Sequence, residues 1–267
     1  MTSRLENHVA VVTGSSSGNG RAIALALAKA GATVVCSDRT REALKDGYEP
    51  DLSVPTDELI RSQGGKAAFV AADVVRAAQV EQLVAEAVAR YGRLDVMVNN
   101  AGVFTGLHTI LDETEEQFDF TMAVNTKGVW LGCKYAIAQM MKQAPRPSGS
   151  RGKVINIASI GGLVGLAQEP AYCTSKGAVV NLTRQLALDF APHRINVNAI
   201  CPGFLATAMV RPFLENADTN KLLHDLTPWP RVGTAADVAN CALFLAAEES
   251  EWVSGSMLTV DGAFTAR

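Results

Sequence analysis

Tyr172 and Lys176 stand four residues apart in "AYCTSKGAVV", and Ser159 closes the apolar run "GKVINIAS" upstream. Four residues advance a helix by slightly more than one turn, so a phenol and an ammonium at that spacing share a face. A phenol is a poor base at neutral pH, because its unperturbed pKa is about 10. A nearby ammonium stabilises the phenolate and lowers that value. The pair could then take a proton from an alcohol, or give one to a carbonyl oxygen, while a hydride moves. A serine hydroxyl at a strand end could bond the same oxygen and orient it. Taken singly, each has a plainer reading: Tyr172 as a core aromatic, Lys176 as a surface cation, Ser159 as a cap.

A second chemical stretch, "TGSSSGNG" at 13–20, fits two templates. As Gly-x-Ser-x-Gly it offers Ser16 as a hydrolase nucleophile. That template needs upstream chain for an oxyanion hole and a histidine after later strands. Only one strand precedes it, and of the four histidines (His8, His108, His193, His224) His8 is too early, His193 sits in a polar turn after a helix and His224 in a predicted surface helix. As a glycine-rich first βα turn it suits a dinucleotide pyrophosphate. Gly14 allows a tight turn, and Gly18 and Gly20 let backbone approach a phosphate. Ser17 and its neighbours add hydroxyls, and a helix N-terminus supplies free N–H groups. The next strand ends in Asp38, whose carboxylate could accept both adenosine-ribose hydroxyls and repel a 2′-phosphate. Arg39 follows and could pair with that phosphate, or be a solvated surface residue. The balance favours NAD over NADP.

These residues need a scaffold, and the chain alternates strand-like and helix-like stretches. Strands are predicted at 8–13, 32–38, 66–74, 94–102, 152–159, 194–203 and 256–262, with helices at 19–31, 78–92, 114–143, 171–191 and 237–249. The strands are apolar without clean alternation, as when both faces are buried. The pattern predicts an α/β fold: a single-domain, Rossmann-type, doubly wound parallel sheet of about seven strands with helices on both faces, spanning 1–267. The chain has 267 residues, 48% of them hydrophobic, and a net charge of −3. That balance gives no electrostatic case for nucleic acid or an anionic membrane. No apolar run reaches membrane-spanning length, and the N-terminus lacks a secretory pattern. The five cysteines show no metal or disulfide spacing, so no metal site is expected and a cytoplasmic location is.

With "NNAG" (99–102), "AVNTKG" (123–128) and "CPG" (201–203) added in order, the sequence resembles the short-chain dehydrogenase/reductase family from about Val9 to Gly262. The resemblance implies NAD(P)-dependent interconversion of a secondary alcohol and a ketone. Tyr172 would be the acid/base, Ser159 would touch the substrate oxygen, and Lys176 would also hold the nicotinamide ribose. Asn125 would support a water-linked proton relay through the lysine. The resemblance places Gly14, Ser17, Asn19, Gly20, Asp38, Asp73, Val74, Asn100, Gly102, Pro202 and Thr207 on the cofactor as well. Asp73 would accept from the adenine amino group, or cap a loop. Thr207 would meet the carboxamide, or cap a helix beginning near Met209. Asn19 departs from the family's usual apolar residue, and its amide serves either the cofactor or the turn. A cofactor-binding sensor without turnover is the alternative reading.

Loops near 103–107, 161–168 and 204–229 should wall the substrate. They offer Phe104, Leu163, Val164, Leu166, Met209, Phe213 and Trp229, with Arg211 as the exceptional cation, so a mainly apolar small alcohol or ketone is expected. The segment 39–63 is longer than the family usually has and carries acidic residues and two prolines. It either lies beside the adenosine and tunes cofactor affinity, or is a surface loop without functional contact. The apolar helices at 114–143 and 171–191 exceed what a single sheet face should cover, and the resemblance implies that they pair between subunits in a homo-oligomer, most simply a tetramer.

Overall fold

Val9–Thr13 (β1) is buried along its whole length, as a strand covered on both faces must be. Its side chains alternate. Ala10 and Val12 join one core and Val11 the other, because successive strand residues point to opposite faces. The other strands are Thr33–Asp38 (β2), Lys66–Ala71 (β3), Val96–Asn99 (β4), Gly152–Ile157 (β5), Ile195–Pro202 (β6), the two-residue Leu205–Ala206 (β7) and Gly233–Thr234 (β8), and Met257–Val260 (β9). This computed structural model describes residues 4–266. Seven strands form one parallel sheet in the order β3-β2-β1-β4-β5-β6-β9. The chain winds outward from β1 to β3 and then crosses back to β4. That reversal opens a crevice beyond the carboxyl ends of β1 and β4, where ligands bind in such sheets.

Helices cover both faces. Gly18–Lys29 (α1) and Ala235–Ala246 (α9) pack together on one side, burying Ile23, Leu27, Val238 and Leu245. Thr56–Ser62 (α2) lies at the same edge and buries Ile60. Ala77–Tyr91 (α3), Gly128–Lys142 (α5) and Pro170–Phe190 (α6) cover the other side through Leu83, Ile137, Met140 and Val180. Fully burying a Leu or Ile contributes about 1.5–3 kcal/mol, so these two layers hold the sheet. Arg211–Glu215 (α7) and Ala217–Leu226 (α8) sit over the carboxyl end of the sheet, beyond β7.

The stretch predicted as one helix over 114–143 is two. Glu115–Met122 (α4) and α5 are joined by a single π turn, Ala123–Lys127. Thr114 starts α4 with a capping box: its hydroxyl accepts from the Gln117 N–H while Gln117 Oε1 accepts from the Thr114 N–H. Periodicity could not reveal the wide turn, because it keeps the chain helical on either side. Its effect is local: Val124 and Asn125 are carried inward and buried.

Candidate active site

The first βα turn is a cradle built to exclude side chains. Gly14 has φ +63°, and a Cβ there would lie 2.8 Å from both Ala101 Cα and Asn100 Nδ2. A Cβ on Gly20 would lie 2.0 Å from the Gly14 carbonyl oxygen. The turn is held from behind by β4. Asn100 Nδ2 donates to the carbonyls of Thr13 (2.9 Å) and Gly14 (3.1 Å). The Thr13 hydroxyl accepts from the N–H groups of Asn100 and Ala101. The side chain of Asn100 is therefore spent on the turn. Thr13 was not singled out by the sequence, although it opens "TGSSSGNG".

The remaining residues expected at the cofactor line the same crevice: Ser17, Asn19, Asp38, Asp73, Val74, Gly102, Pro202 and Thr207. Asp38 accepts from the backbone N–H of Ser16 (3.2 Å) and of Arg39 (2.8 Å). Asn19 Oδ1 is buried without a partner, and rotating the amide half a turn would present its donors instead. Asp73 Oδ1 accepts from the Val75 N–H at 3.2 Å, the local cap that its loop position suggested. Thr207 corrects an expectation: the helix begins at Arg211 rather than Met209, and it is the Thr207 carbonyl that accepts from Val210 and Arg211. The Thr207 side chain stays over the glycine turn, 3.9 Å from where a Gly18 Cβ would stand. A glycine cradle, an unpartnered amide and a carboxylate at the end of β2 together suit a dinucleotide.

Tyr172, Lys176 and Ser159 all line this cavity, on α6 and just beyond β5. The Ser159 hydroxyl accepts from the Gly161 N–H at 3.1 Å, which fixes its rotamer at the cavity wall. Lys176 is buried and its Nζ donates to the Ile157 carbonyl at 2.9 Å. Burial lowers the Lys176 ammonium to about 8. Tyr172 differs from the expectation drawn from spacing. Its phenol is pushed up to about 12, first by burial; the nearby Ser159 hydroxyl opposes that, and the Glu169 carboxylate adds to it. The Lys176 Nζ faces the Ile157 carbonyl and lies 5.7 Å from the tyrosine ring centroid. The phenol is therefore held in its protonated form, ready to donate. Phe104 packs edge-on against Tyr172, with centroids 5.6 Å apart.

Asn125 is fully buried, and its amide clamps the chain beside the site. Oδ1 accepts from the Val103 N–H (2.8 Å), and Nδ2 donates to the Val103 carbonyl (2.9 Å) and to Ser175 Oγ (3.2 Å). Behind it, Asn99 donates to Asn156 (2.9 Å) and Asn156 to Thr183 (3.0 Å), a buried polar chain that sequence reasoning missed.

The cavity measures about 1010 Å³, at the upper end of the roughly 300–1,000 Å³ of small-molecule sites. Its far wall is apolar: Phe104, Leu166, Met209 and Phe213 line it as expected, joined by Leu107 and Leu222. Leu163, Val164, Arg211 and Trp229 do not line it.

The segment between β2 and α2 folds back over the glycine turn. The buried Arg21 guanidinium anchors it, donating to the carbonyls of Asp51 (2.8 Å) and Val54 (2.9 Å) and to the Thr56 hydroxyl (3.1 Å). Leu44 N–H donates to Ser17 Oγ at 2.7 Å, and the Gly18 N–H at the start of α1 donates to the Glu49 carboxylate. The same segment reaches α7: Arg211 stacks on the Tyr48 ring at 4.4 Å and donates to the Gly47 carbonyl at 3.3 Å. It touches the phosphate turn, yet it is not confined to the adenosine end.

A family model described as enoyl-(acyl carrier protein) reductase matches residues 14–265. The 2-(R)-hydroxypropyl-CoM dehydrogenase of Xanthobacter autotrophicus is 38% identical over 266 residues, covering 97% of this chain and 99% of that one. The cyclopentanol dehydrogenase of Comamonas testosteroni is 36% identical over 98% and 99% of the two chains. Among solved structures, a short-chain type dehydrogenase/reductase from Mycobacterium marinum superposes with a TM-score of 0.87 at 33% identity over 98% and 97%. One from Agrobacterium tumefaciens, assigned as a 2-deoxy-d-gluconate 3-dehydrogenase with bound NADP, gives 0.84 at 32% over 98% of each. The chain belongs to the short-chain dehydrogenase/reductase family, and with it to the NAD(P)-dependent oxidoreductases acting on CH–OH groups. Among the described residues no helix is long and apolar enough to cross a membrane.

Proposed function

We propose that this single-domain enzyme interconverts a secondary alcohol and a ketone on a small, mainly apolar molecule, with NAD preferred to NADP. The observation that carries this is the convergence in one cavity of the glycine cradle, Asp38, Ser159, Tyr172 and Lys176. Bound NAD(H) supplies the hydride acceptor or donor. The chain's own residues do the rest. Gly14, Ser17, Asn19 and Gly20 hold the pyrophosphate; Asp38 takes the adenosine ribose; Asp73, Val74, Asn100 and Gly102 line the adenosine half; Pro202 and Thr207 line the nicotinamide half. Ser159 holds the substrate oxygen against Tyr172. The protonated phenol gives its proton to a carbonyl oxygen in reduction and recovers it from the hydroxyl in oxidation. Lys176 shares its face of α6 and holds the nicotinamide ribose. Asn125 positions the Val103 backbone and, through α6, the phenol.

The carboxylate at Asp38 supports NAD, since a 2′-phosphate would meet negative charge there. A homo-oligomer, as a tetramer, is supported by the exposed Phe118, Trp130 and Met141 of α4 and α5 and Leu188 of α6. Five unpaired cysteines accord with a cytoplasmic setting. The test offers purified protein NAD and NADP with secondary alcohols, ketones and an enoyl thioester, following nicotinamide absorbance. Alcohol and ketone turnover, faster with NAD, is expected. Turnover of the enoyl thioester alone, or none at all, would overturn the reading, and a monomeric mass by light scattering would overturn the assembly.

A further inference from the structure

Among the described residues four carboxylates line the cavity, and three of them (Asp38, which ends β2, and Glu42 and Asp73, in the loops after β2 and β3) sit at the adenosine end. The fourth, Glu169, stands on the substrate side, one helical turn before Tyr172. Its placement follows from the chain around it. It is the N-cap of α6, immediately before Pro170, so its backbone stays outside the helix (φ −130°, ψ 51°). An N-cap carboxylate ordinarily folds onto the first free N–H groups of its own helix. Glu169 makes no such side-chain cap. Pro170 has no N–H, and the Ala171 N–H donates to Glu113 Oε2 at 3.0 Å. Glu169 uses only its backbone carbonyl, which accepts from the Cys173 N–H at 2.9 Å. Among the described residues its carboxyl has no hydrogen bond or ion pair, and it remains half-buried at a wall shared with Leu166 and Ala167.

Resting on the function proposed above, we propose that Glu169 is a specificity-determining residue. It accepts a hydrogen bond from a hydroxyl or amino group that the substrate carries beside the reacting carbon. The substrate class is then a neutral or cationic hydroxy- or amino-substituted ketone, or the matching alcohol, with an otherwise apolar body. A partly exposed carboxyl at an otherwise apolar wall offers an acceptor that a ligand donor can reach. Burial has already pushed its titration up to about 7, so it accepts as a carboxylate or bonds as an acid near neutral pH. The same geometry selects against anions. Among the described residues the cations lining the cavity are Arg39, beyond β2, and Lys176, whose ammonium is engaged with Ile157. A carboxylated, phosphorylated or sulfonated substrate would meet Glu169 with no opposite charge to receive it.

The test measures kcat/KM for α-hydroxycyclohexanone, cyclohexanone and a ring-carboxylated cyclohexanone in the wild type, Glu169→Leu and Glu169→Gln. Cofactor binding, read by protein fluorescence, shows that each variant is folded. A hydrogen bond to a charged group is worth a factor of roughly 10 to 100. The wild type is expected to prefer the hydroxyketone over the plain ketone by at least about tenfold, mostly in KM, and to reject the carboxylated ring. Glu169→Leu should erase that preference, and Glu169→Gln, which keeps an acceptor, should retain part of it. Equal rates on hydroxylated and plain ketone in the wild type, or a preference that survives in Glu169→Leu, would overturn the inference and leave the alcohol/ketone reading standing. If the wild type binds cofactor but turns over none of the three ketones, the reading fails and the inference falls with it.

Discussion

Replacing Asn125 by Ala separates two roles that one side chain could play. The amide makes three bonds, two of them to the backbone of Val103. Truncation leaves the Val103 N–H and carbonyl unpaired. Ser175 suffers less, because its hydroxyl keeps the Tyr172 carbonyl at 2.7 Å. An unmade buried donor or acceptor costs about 1–3 kcal/mol. Val103 is only half-buried, so each group falls at the low end; with the small void added, the loss is about 2–4 kcal/mol. In a chain of this length that lowers Tm by roughly 5–15 °C. Urea unfolding followed by tryptophan fluorescence measures it, alongside kcat and KM on the folded protein. The unfolding free energy should fall by about 2–4 kcal/mol and kcat should fall with it, because Val103 adjoins Gly102 and Phe104 in the cavity wall. A stability loss below about 1 kcal/mol with kcat still collapsed would refute the clamp and leave a relay as the main role.

Asp38→Ala should weaken NAD by roughly tenfold or more, through lost charge-assisted bonds to the ribose, and shift preference towards NADP; a native enzyme already binding NADP more tightly would contradict this. Glu49→Gln should tighten NAD by roughly two- to fivefold, because a neutral amide competes less well than a carboxylate for the Gly18 N–H at the α1 terminus; unchanged or weaker binding by titration would show that Glu49 does not oppose the phosphates. Asp237 is held down to about 2, chiefly by the Arg231 guanidinium that forks onto it at 2.8 and 2.9 Å. A depressed carboxyl contributes stability above its unfolded value and loses it as pH falls towards 2. Asp237→Asn should therefore cost about 1–2 kcal/mol at neutral pH, after discounting for solvent screening of the pair, and flatten the stability profile between about pH 4 and 2; a parallel profile in the variant would remove the ion pair from the account.

The alternation of strands and helices was legible because both faces of every strand are covered, which forces apolar runs such as Val9–Thr13. Tyr172, Lys176 and Ser159 were legible because helix pitch and strand ends fix where such side chains point. Four features were not. The π turn that buries Asn125 changes the chain's pitch over only five residues, too short an excursion for periodicity. The raised titration of Tyr172 comes first from its burial, which spacing on a helix does not determine. Glu169 stood in plain view in "QEPAY", yet only the Glu113–Ala171 bond shows that its carboxyl is released from capping. The reach of segment 39–55 to both Gly18 and Arg211 was likewise invisible, since it depends on Arg21 being buried beneath it.

The central claim is that the Tyr172 hydroxyl carries the proton that accompanies hydride transfer. Tyr172→Phe removes that oxygen alone and keeps the ring that packs against Phe104. The direct measurement is single-turnover oxidation of a secondary alcohol by the NAD-saturated variant, with cofactor affinity measured in parallel. Loss of the proton acceptor should lower the rate by roughly 10²–10⁴-fold while NAD still binds. A variant that turns over within a few-fold of the wild type would contradict the claim.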